Sequence, residues 1–303
     1  MEYVITSSAL TKKYGKHKAL DGVDTNVPSG AVYGIIGKNG AGKTTLMRVL
    51  CDLQRADSGE YTLFGVSNAD KKIKNERKRI GAMIEKPMLY PDMTAKENLR
   101  IQAEALGLPS FDPEELLKLV GLENTGRKTA GRFSFGMKQR LGIALALVGS
   151  PDIVFLDEPV NGLDPQGIVE IRELILRLNR EQNITFVISS HILDELSKIA
   201  TDYCIMDSGR VVRQINANQL QSSFRKCFDL TVTDTKALSV ALDKMALPYE
   251  IKDEKHAVIY EEFKISELVS NLSAPGCELL TVREVDESLE TYFLELTGGE
   301  DNA

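Results

Sequence analysis

The first part of the chain alternates between apolar and polar positions and then changes to short apolar segments separated by turns. Residues 3–10 and 19–27 are rich in β-branched side chains, with a turn residue, Gly15, between them. This alternation predicts antiparallel strands. The apolar segment 32–36 follows, and a glycine-rich loop separates it from a predicted helix over 43–51. The sequence therefore predicts antiparallel sheet followed by a strand–loop–helix unit.

Helical periodicity dominates the middle of the chain. Thr94 followed by Glu97 has the spacing of a helix-capping box, in which each residue satisfies a backbone N–H of the other. Helices are predicted over 94–106, 113–120 and 137–148. Together they predict an all-helical insertion.

Two apolar segments and an amphipathic one come next. Strands are predicted over 153–156 and 185–189, and a helix over 166–179 lies between them. The order strand, crossover helix, strand is typical of a parallel sheet with helices on its faces. The first domain is therefore predicted to be α/β.

The last part of the chain has a different element order. After about residue 219 the pattern predicts strand 228–232, helix 235–245, strand 249–252, strand 257–260, helix 265–272, strand 278–282 and a final helix 288–296. A βαββαβ order is typical of a ferredoxin-like fold. The chain is therefore predicted to have two domains, residues 1–219 and a small α+β accessory domain, residues 220–303.

Composition and charge restrict the classes of partner. The chain has 303 residues, 43% hydrophobic and 27% charged, which is ordinary globular usage and enough for two cores. Its net charge of −7 offers no general attraction for nucleic acid or anionic lipid. The basic segment 71–79 is interrupted by Ile73, which favours a solvated helix or loop face. No nucleic-acid partner is expected.

Cysteine use and hydropathy both favour the cytoplasm. The four cysteines are scattered without a CxxC pair, so we expect reduced, packed thiols. No basic region followed by an apolar stretch occurs at the start, and the longest apolar run, around 141–148, is much shorter than the roughly 20 residues of a membrane span. We expect a cytoplasmic chain that contacts a membrane through a partner.

A phosphate-binding motif lies between the first buried strand and its helix. Residues 37–44 read Gly37-Lys38-Asn39-Gly40-Ala41-Gly42-Lys43-Thr44 and fit the pattern GxxxxGK[ST]. In this context backbone N–H groups and the helix N-terminus surround phosphate. Lys43 is expected to reach the β and γ phosphates, and the Thr44 hydroxyl to ligate Mg²⁺.

Two carboxylates follow the apolar strand 153–156. The strand is expected to deliver Asp157 to the water shell of Mg²⁺ and Glu158 to the attacking water. An apolar strand ending in acidic residues is common and weak evidence by itself. Downstream of a phosphate loop it predicts a metal residue and a general base.

The segment just before this strand carries a resemblance to a family. Residues 133–140, Phe-Ser-Phe-Gly-Met-Lys-Gln-Arg, resemble the LSGGQxQR signature of ABC ATPases. In that family the signature begins a helix and contacts the γ phosphate bound to the opposite subunit, which implies head-to-tail pairing through Ser134 and Gly136. Residues 161–164 resemble the D-loop, His191 the switch histidine and Tyr14 the residue that stacks on adenine.

The resemblance covers residues 1–219 and implies a fold. An ABC-type P-loop NTPase domain has a mixed sheet core, an antiparallel β subdomain and a helical signature subdomain, here at about 88–150. Plain packing of Tyr14 in a β-turn is the alternative to adenine stacking. Tyr90, Pro91 and Met93 are candidates to contact a membrane partner, and packing explains them equally well. His17 and His256 receive no role.

Two departures from the family pattern restrict the resemblance to a smaller group of ABC ATPases. Glu85 stands where the family usually has glutamine, and the signature has Phe135 and Met137 in place of glycine and glutamine. ATPases of bacitracin and lantibiotic export or immunity systems share the glutamate and a similar signature helix. A carboxylate at position 85 remains a suitable Mg²⁺ ligand, although it adds negative charge beside the metal.

These features predict the ATP-binding and ATP-hydrolysing subunit of a bacterial ABC transporter, an exporter of antibiotic peptides or drugs. It would pair with a second copy and power a separately encoded permease at the inner face of the cell membrane. The predicted catalytic residues are Glu158 and His191. The predicted cofactors are ATP and Mg²⁺, with Thr44, Glu85 and Asp157 at the metal. The predicted nucleotide-binding residues are Tyr14, Gly37, Lys38, Asn39, Gly40, Ala41, Gly42, Lys43, Thr44, Thr45, Ser134 and Gly136.

Three alternatives stand beside this prediction. An importer ATPase has the same core motifs. A soluble ABC protein acting on ribosomes or DNA is disfavoured by the single phosphate loop and by the lack of sustained heptads. A simple P-loop kinase or GTPase leaves residues 133–140 and His191 unexplained.

Overall fold

The structure is a computed structural model that describes residues 2–223, 226–273, 277–286 and 289–298. The chain divides into two compact units, Met1–Ala217 and Asn218–Ala303. The strands are β1 (Tyr3–Tyr14), β2 (His17–Pro28), β3 (Val32–Ile36), β4 (Ser58–Leu63), β5 (Val66–Ser67), β6 (Ile80–Met83), β7 (Ile153–Asp157), β8 (Thr185–Ser190), β9 (Asp202–Asp207), β10 (Arg210–Asn216), β11 (Lys226–Val232), β12 (Tyr249–Ile251), β13 (His256–Ile259) and β14 (Leu279–Asp286).

The helices follow the same chain order. They are α1 (Lys43–Leu50), α2 (Ile73–Glu76), α3 (Ala95–Ala105), α4 (Glu114–Leu119), α5 (Phe135–Leu147), α6 (Pro165–Gln182), α7 (Leu193–Ser197), α8 (Ala217–Ser223), α9 (Thr235–Lys244), α10 (Ile265–Ser273) and α11 (Leu289–Leu296). The predicted final helix has its first residue, Ser288, outside the described residues.

A six-stranded mixed sheet forms the centre of the first unit. Its order is β10-β9-β3-β8-β7-β6, and all neighbours are parallel except β9 and β10. Every residue of β3, β7 and β8 is buried, which explains why these strands are almost continuously apolar. Because Ile36 pairs with Ser190 and Asp157 pairs with Ser189, the carboxyl ends of these three strands lie side by side.

An antiparallel sheet of order β2-β1-β4-β5 completes the β part of this unit. The register between β1 and β4 shifts after Ser8, where Ala9 has a φ of 49°. Gly59 lies opposite this irregularity, and a Cβ there would come within 2.3 Å of the Ala9 carbonyl oxygen. A glycine is therefore required where β4 crosses the irregularity in β1.

The predicted helical segment is present as α3, α4 and α5. The capping box at the start of α3 is confirmed: Thr94 Oγ1 accepts from Glu97 N at 3.3 Å, and Glu97 Oε2 accepts from Thr94 N at 2.7 Å. The predicted start of α5 at residue 137 is two residues late. The helix begins at Phe135 because Ser134 is its N-cap and accepts from Met137 N at 3.3 Å.

The second unit has its own four-stranded antiparallel sheet, of order β12-β13-β11-β14. With α9 and α10 between the strands in sequence, this is the ferredoxin-like βαββαβ arrangement that the sequence predicts. Its core contains Leu230, Leu238 and Leu268, each fully buried. A separate core, which includes Ile5, Leu46 and Phe155, occupies the first unit.

The basic segment and the cysteines behave as expected. Ile73 is buried, while Lys71, Lys72 and Lys74 are exposed to solvent. All four cysteines are free thiols, and three of them are buried. Burial raises the pKa of Cys204 to about 12, so this thiol stays protonated and unreactive at neutral pH.

The helix cap gives a stability prediction. Thr94→Ala removes the hydroxyl that accepts from Glu97 N and should lower the free energy of unfolding by about 1 kcal/mol. For a unit of this size, Tm should fall by roughly 3 °C in differential scanning calorimetry. Thr94→Ser keeps the hydroxyl and should stay near the unmodified value. An equal loss in both variants would assign the effect to packing of the Thr94 methyl group.

Candidate functional site

The glycine-rich loop 37–42 connects β3 to α1 and is shaped by its glycines. Gly40 and Gly42 have φ values of 85° and 103°, in the region that favours glycine. A Cβ on Gly42 would lie 2.5 Å from the Ala19 carbonyl oxygen, so the close approach of two backbones excludes a side chain there. Lys38, Asn39 and Gly40 are exposed at the outside of the loop.

Lys43 lies inside the curve of this loop. Its ammonium donates to the carbonyl oxygens of Gly37 at 2.7 Å and Lys38 at 3.3 Å, and Nζ lies 3.7 Å from Glu158 Oε1. The residue is only 6% exposed, which makes it one of the few buried charged residues in the part of the chain that the structure describes. A charge in this position is suited to an anion held by the loop.

Asp157 is a buried carboxylate satisfied by two hydroxyl groups. Thr44 Oγ1 donates to Oδ2 at 2.9 Å, and Ser189 Oγ donates to Oδ1 at 2.5 Å. Asp157 is 2% exposed, and a carboxylate at that depth is tolerated because it accepts hydrogen bonds. Residues from α1, β7 and β8 therefore meet at one carboxyl group.

Glu158 adopts a left-handed backbone conformation with a φ of 50°. Its N–H donates to Ser189 Oγ at 3.0 Å, which fixes the backbone against β8. Its Oε2 is 2.7 Å from His191 Nδ1, while Oε1 faces the Lys43 ammonium. The turn thus places the Glu158 carboxylate between the Lys43 ammonium and the His191 ring. A strained residue held by its surroundings is a candidate for function.

Ser189 is the residue that the sequence reasoning missed. It is fully buried at the end of β8, donates to Asp157 and accepts from Glu158, so it orients both carboxylate residues. A signal was present in the sequence, because Ser189 and Ser190 end an otherwise apolar strand just before His191.

Glu85, one of the predicted Mg²⁺ ligands, lies near α1. Its carboxylate pairs with Arg48. Arg48 is one turn after Thr44 and so lies on the same side of α1. The structure therefore joins Thr44 to Asp157 directly, while Glu85 is held one helical turn away.

The remaining predicted residues lie at the end of β1, in α1 and at the start of α5. Tyr14, at the end of β1, is 44% exposed, and its hydroxyl donates to Gln54 Oε1 at 2.6 Å. Thr45 follows Thr44 in α1 and is half-buried. Ser134 is exposed and Gly136 is half-buried at the start of α5, where the first N–H groups of a 13-residue helix are presented.

Known proteins resemble this chain over nearly its whole length. The family described as "ABC transporter" matches residues 20–161. The bacitracin transport ATP-binding protein BcrA of Bacillus licheniformis is 39% identical over 307 residues, which cover 99% of this chain and 99% of that protein. This chain belongs to the ABC transporter ATP-binding proteins. As a member of this family it binds ATP and is an ATPase.

Two further members extend the comparison. The lantibiotic transport ATP-binding protein SrtF of Streptococcus pyogenes is 41% identical over 203 residues, 67% of this chain and 86% of that protein. The ATP-binding cassette MJ0796, solved as a dimer in a post-hydrolysis state with ADP and phosphate, is 26% identical with a TM-score of 0.63, covering 70% of this chain and 98% of that one. The predicted ABC-type fold is confirmed.

Within residues 2–223, 226–273, 277–286 and 289–298, no helix is long and apolar enough to cross a bilayer.

The position of Ser189 gives a prediction for this ABC ATPase. Ser189→Ala removes the donor to Asp157 and one of the two acceptors for Glu158 N–H, leaving the Ser189 carbonyl oxygen at 3.2 Å. Asp157 therefore loses orientation directly, and the Glu158 backbone is held less tightly. We expect kcat for ATP hydrolysis to fall about 10- to 100-fold, the effect of losing a hydrogen bond to a charged group. The measurement is steady-state phosphate release. The control is Ser197→Ala, because Ser197 is exposed and donates only to the Asp194 carbonyl oxygen. Equal rates in the two variants would contradict the positioning of Asp157 and Glu158 by Ser189.

Proposed function

We propose that this chain is the ATP-hydrolysing subunit of a bacterial ABC exporter for antibiotic peptides or drugs. The observation that carries the catalytic part is the Glu158 carboxylate, which lies between Lys43 and His191 at the end of β7. This is where a water attacking a loop-bound γ phosphate needs a base.

The loop and α1 supply the nucleotide site of the proposal. Backbone N–H groups of residues 37–44 and the first turn of α1 bind the phosphates, with Thr45 in the same turn. Lys43 exchanges its carbonyl partners for β and γ phosphate oxygens, which are stronger acceptors. Tyr14 stacks on adenine in this proposal, since it is 44% exposed at the end of β1 and its hydroxyl is bonded to Gln54, a few residues after α1.

We assign Mg²⁺ to the side of the site formed by Thr44 and Asp157. Their oxygens are 2.9 Å apart, so one cation can draw on both, and hard oxygen donors suit magnesium. When bound, the ion supplies charge neutralisation for the phosphates. Glu85 reaches this ion only if its carboxylate leaves Arg48. We therefore propose Thr44 and Asp157 as the inner residues and Glu85 as an outer one.

Glu158 accepts the proton of the attacking water in this scheme. Its Oε1 faces the site, because Oε2 is held by His191. His191 thus keeps the carboxylate oriented and contacts the γ phosphate from the end of β8. Lys43 compensates the negative charge that accumulates on the phosphoryl oxygens.

The active form is proposed to be a head-to-tail dimer. Ser134 and Gly136 lie at an exposed helix N-terminus, which attracts anions but has no phosphate loop beside it in sequence. A second copy would bring its bound γ phosphate to this helix. The dimeric state of MJ0796 supports such pairing in a related cassette.

Export at the inner face of the cell membrane is the proposed physiological role. The bacitracin transport protein matches this chain over both units, including residues 220–303, and the lantibiotic transport protein matches over 203 residues. We propose that residues 1–219 form the ATPase domain, with a helical subdomain at about 88–150. Residues 220–303 form an accessory domain that regulates or stabilises the dimer. A separately encoded permease carries the substrate.

The assignment of Glu158 predicts a separation of binding from turnover. Glu158→Gln keeps the shape of the side chain but removes the base, so kcat should fall about 10²- to 10⁴-fold. ATP binding and ATP-dependent dimerisation should persist in equilibrium dialysis and size-exclusion chromatography. The control is Glu173→Gln, an exposed carboxylate of α6. Near-normal hydrolysis by Glu158→Gln would exclude Glu158 as the general base.

The export assignment is tested in cells. Co-expression of the chain with the permease encoded next to its gene should raise the minimal inhibitory concentration of bacitracin or a lantibiotic several-fold in a sensitive bacterium. The same permease with the Glu158→Gln subunit should give no protection. Unchanged sensitivity together with ATP-dependent uptake of a small solute would identify an importer instead.

A further inference from the structure

The first two turns of α5 contact the segment 159–163, which directly follows Glu158. Gln139 Nε2 donates to the Pro159 carbonyl oxygen at 3.0 Å. A Cβ built on Gly162 would lie 3.4 Å from Cε1 of Phe135, so the phenyl ring lies directly against that glycine. The signature helix is therefore in contact with the turn that carries the proposed base of the same subunit.

The segment itself is a sequence of tight turns tied to Glu158. Asn161 N donates to the Glu158 carbonyl oxygen at 3.2 Å, and Leu163 N donates to the Val160 carbonyl oxygen at 3.2 Å. Gly162 has a φ of 77°, in the region that favours glycine. As a glycine it has no side chain of its own that could pack against α5. The Phe135 ring supplies the apolar contact at Gly162, beside the Leu163 side chain, which lies 3.5 Å from a Cβ built on Gly136.

Phe135 is an exposed apolar residue, whereas Gln139 is a buried polar one. Phe135 is 49% exposed although it is a large apolar residue, and it stands where the related signatures have glycine. Gln139 is 2% exposed, and its Oε1 has no hydrogen-bond partner among the described residues, although Nε2 is bonded. A buried side-chain amide with only one of its two polar atoms hydrogen-bonded costs free energy of folding. The bonded atom, Nε2, holds Pro159, the residue that follows Glu158.

The conformation of Glu158 explains what these contacts do. A non-glycine residue with a φ of 50° stays there only when the structure on both sides constrains it. On its N-terminal side Ser189 accepts the Glu158 N–H at 3.0 Å. On its C-terminal side the constraint comes from α5, through Gln139 to Pro159 and through Phe135 to Gly162.

We propose that Phe135 and Gln139 are positioning residues for the Glu158 of their own subunit. They hold segment 159–163 against α5, so that the Glu158 carboxylate stays between Lys43 and His191. This inference rests on the proposed role of Glu158. The signature helix α5 would then have two functions. Ser134 and Gly136 contact the nucleotide bound to the partner subunit, and Phe135 positions the base of its own subunit.

The first test compares full-length homodimers. Phe135→Gly installs the residue of related signatures and removes the ring from Gly162. We expect kcat to fall about 10-fold or more, because a displaced catalytic group loses rate steeply, while KM for ATP stays within about 2-fold. Phe135→Leu retains an apolar contact and should recover most of the lost rate. Tm is measured in all variants, and a matched Tm with a lowered kcat supports the proposal.

Two outcomes of this test would overturn the inference. One is an unchanged kcat in Phe135→Gly. The other is a raised KM with kcat retained, since this would show that Phe135 binds nucleotide instead of positioning the base. Where Phe135→Gly unfolds, Gln139→Leu takes its place, and the same fall in kcat at constant KM is expected because the bond to Pro159 is lost.

The second test separates action within a subunit from action across the dimer. Mixed dimers are purified through two different tags, with Glu158→Gln in one subunit so that only the other subunit has a base, and single-turnover hydrolysis is measured. In one mixed dimer Phe135→Gly is placed in the subunit that retains Glu158. In the other it is placed in the subunit that carries Glu158→Gln.

The reference is a mixed dimer that carries only Glu158→Gln, in one subunit. We expect hydrolysis to be slower than in this reference in the first mixed dimer and equal to it in the second. The reverse pattern would show that Phe135 acts on the partner's nucleotide and would overturn the inference. Failure of the proposed function is distinguishable, because it appears as hydrolysis by the Glu158→Gln homodimer.

Discussion

The Asp157 carboxylate, buried at the end of β7, is the interaction on which the rest of the site depends. Its two oxygens accept from Thr44 of α1 and Ser189 of β8, so one group joins the phosphate loop to two central strands. A charged group at this depth is stable only while such donors are in place. The arrangement requires β3, β8 and β7 to be neighbours with aligned carboxyl ends, which the parallel pairing provides.

Glu158 depends on the same anchor and adds a conformational constraint. Its left-handed backbone is held by Ser189 on one side and by contacts of α5 with segment 159–163 on the other. Helix α5 is therefore connected physically to the turn that carries the proposed base. A movement of α5 would be transmitted to the Glu158 turn, whereas the phosphate loop is shaped by its own glycines and by Ala19. The contacts with α5 thus add to a support that Glu158 shares with the phosphate loop, the Asp157–Ser189 pair.

The sequence predicted the fully buried strands β3, β7 and β8 and the long helices well, because their periodicity reflects burial on one side or on both. Several strands are absent from the predicted elements: β4, β5, β6, β9 and β10. β4 reads Ser-Gly-Glu-Tyr-Thr-Leu and has little apolar alternation, so its conformation depends on pairing with β1. The start of α5 was predicted late because the position of the Ser134 cap depends on backbone geometry and not on apolar spacing.

By itself the sequence determined the phosphate loop, the acidic strand end, the signature segment and the capping box, because each depends on residues close together in the chain. Tertiary structure alone decided the partners. Thr44 meets Asp157 across 113 positions, and Glu85 pairs with Arg48 rather than joining the other two predicted metal residues. Ser189 and Phe135 likewise acquire their neighbours from strand order and helix placement. Contacts between distant positions follow from how strands and helices pack, which local periodicity does not encode.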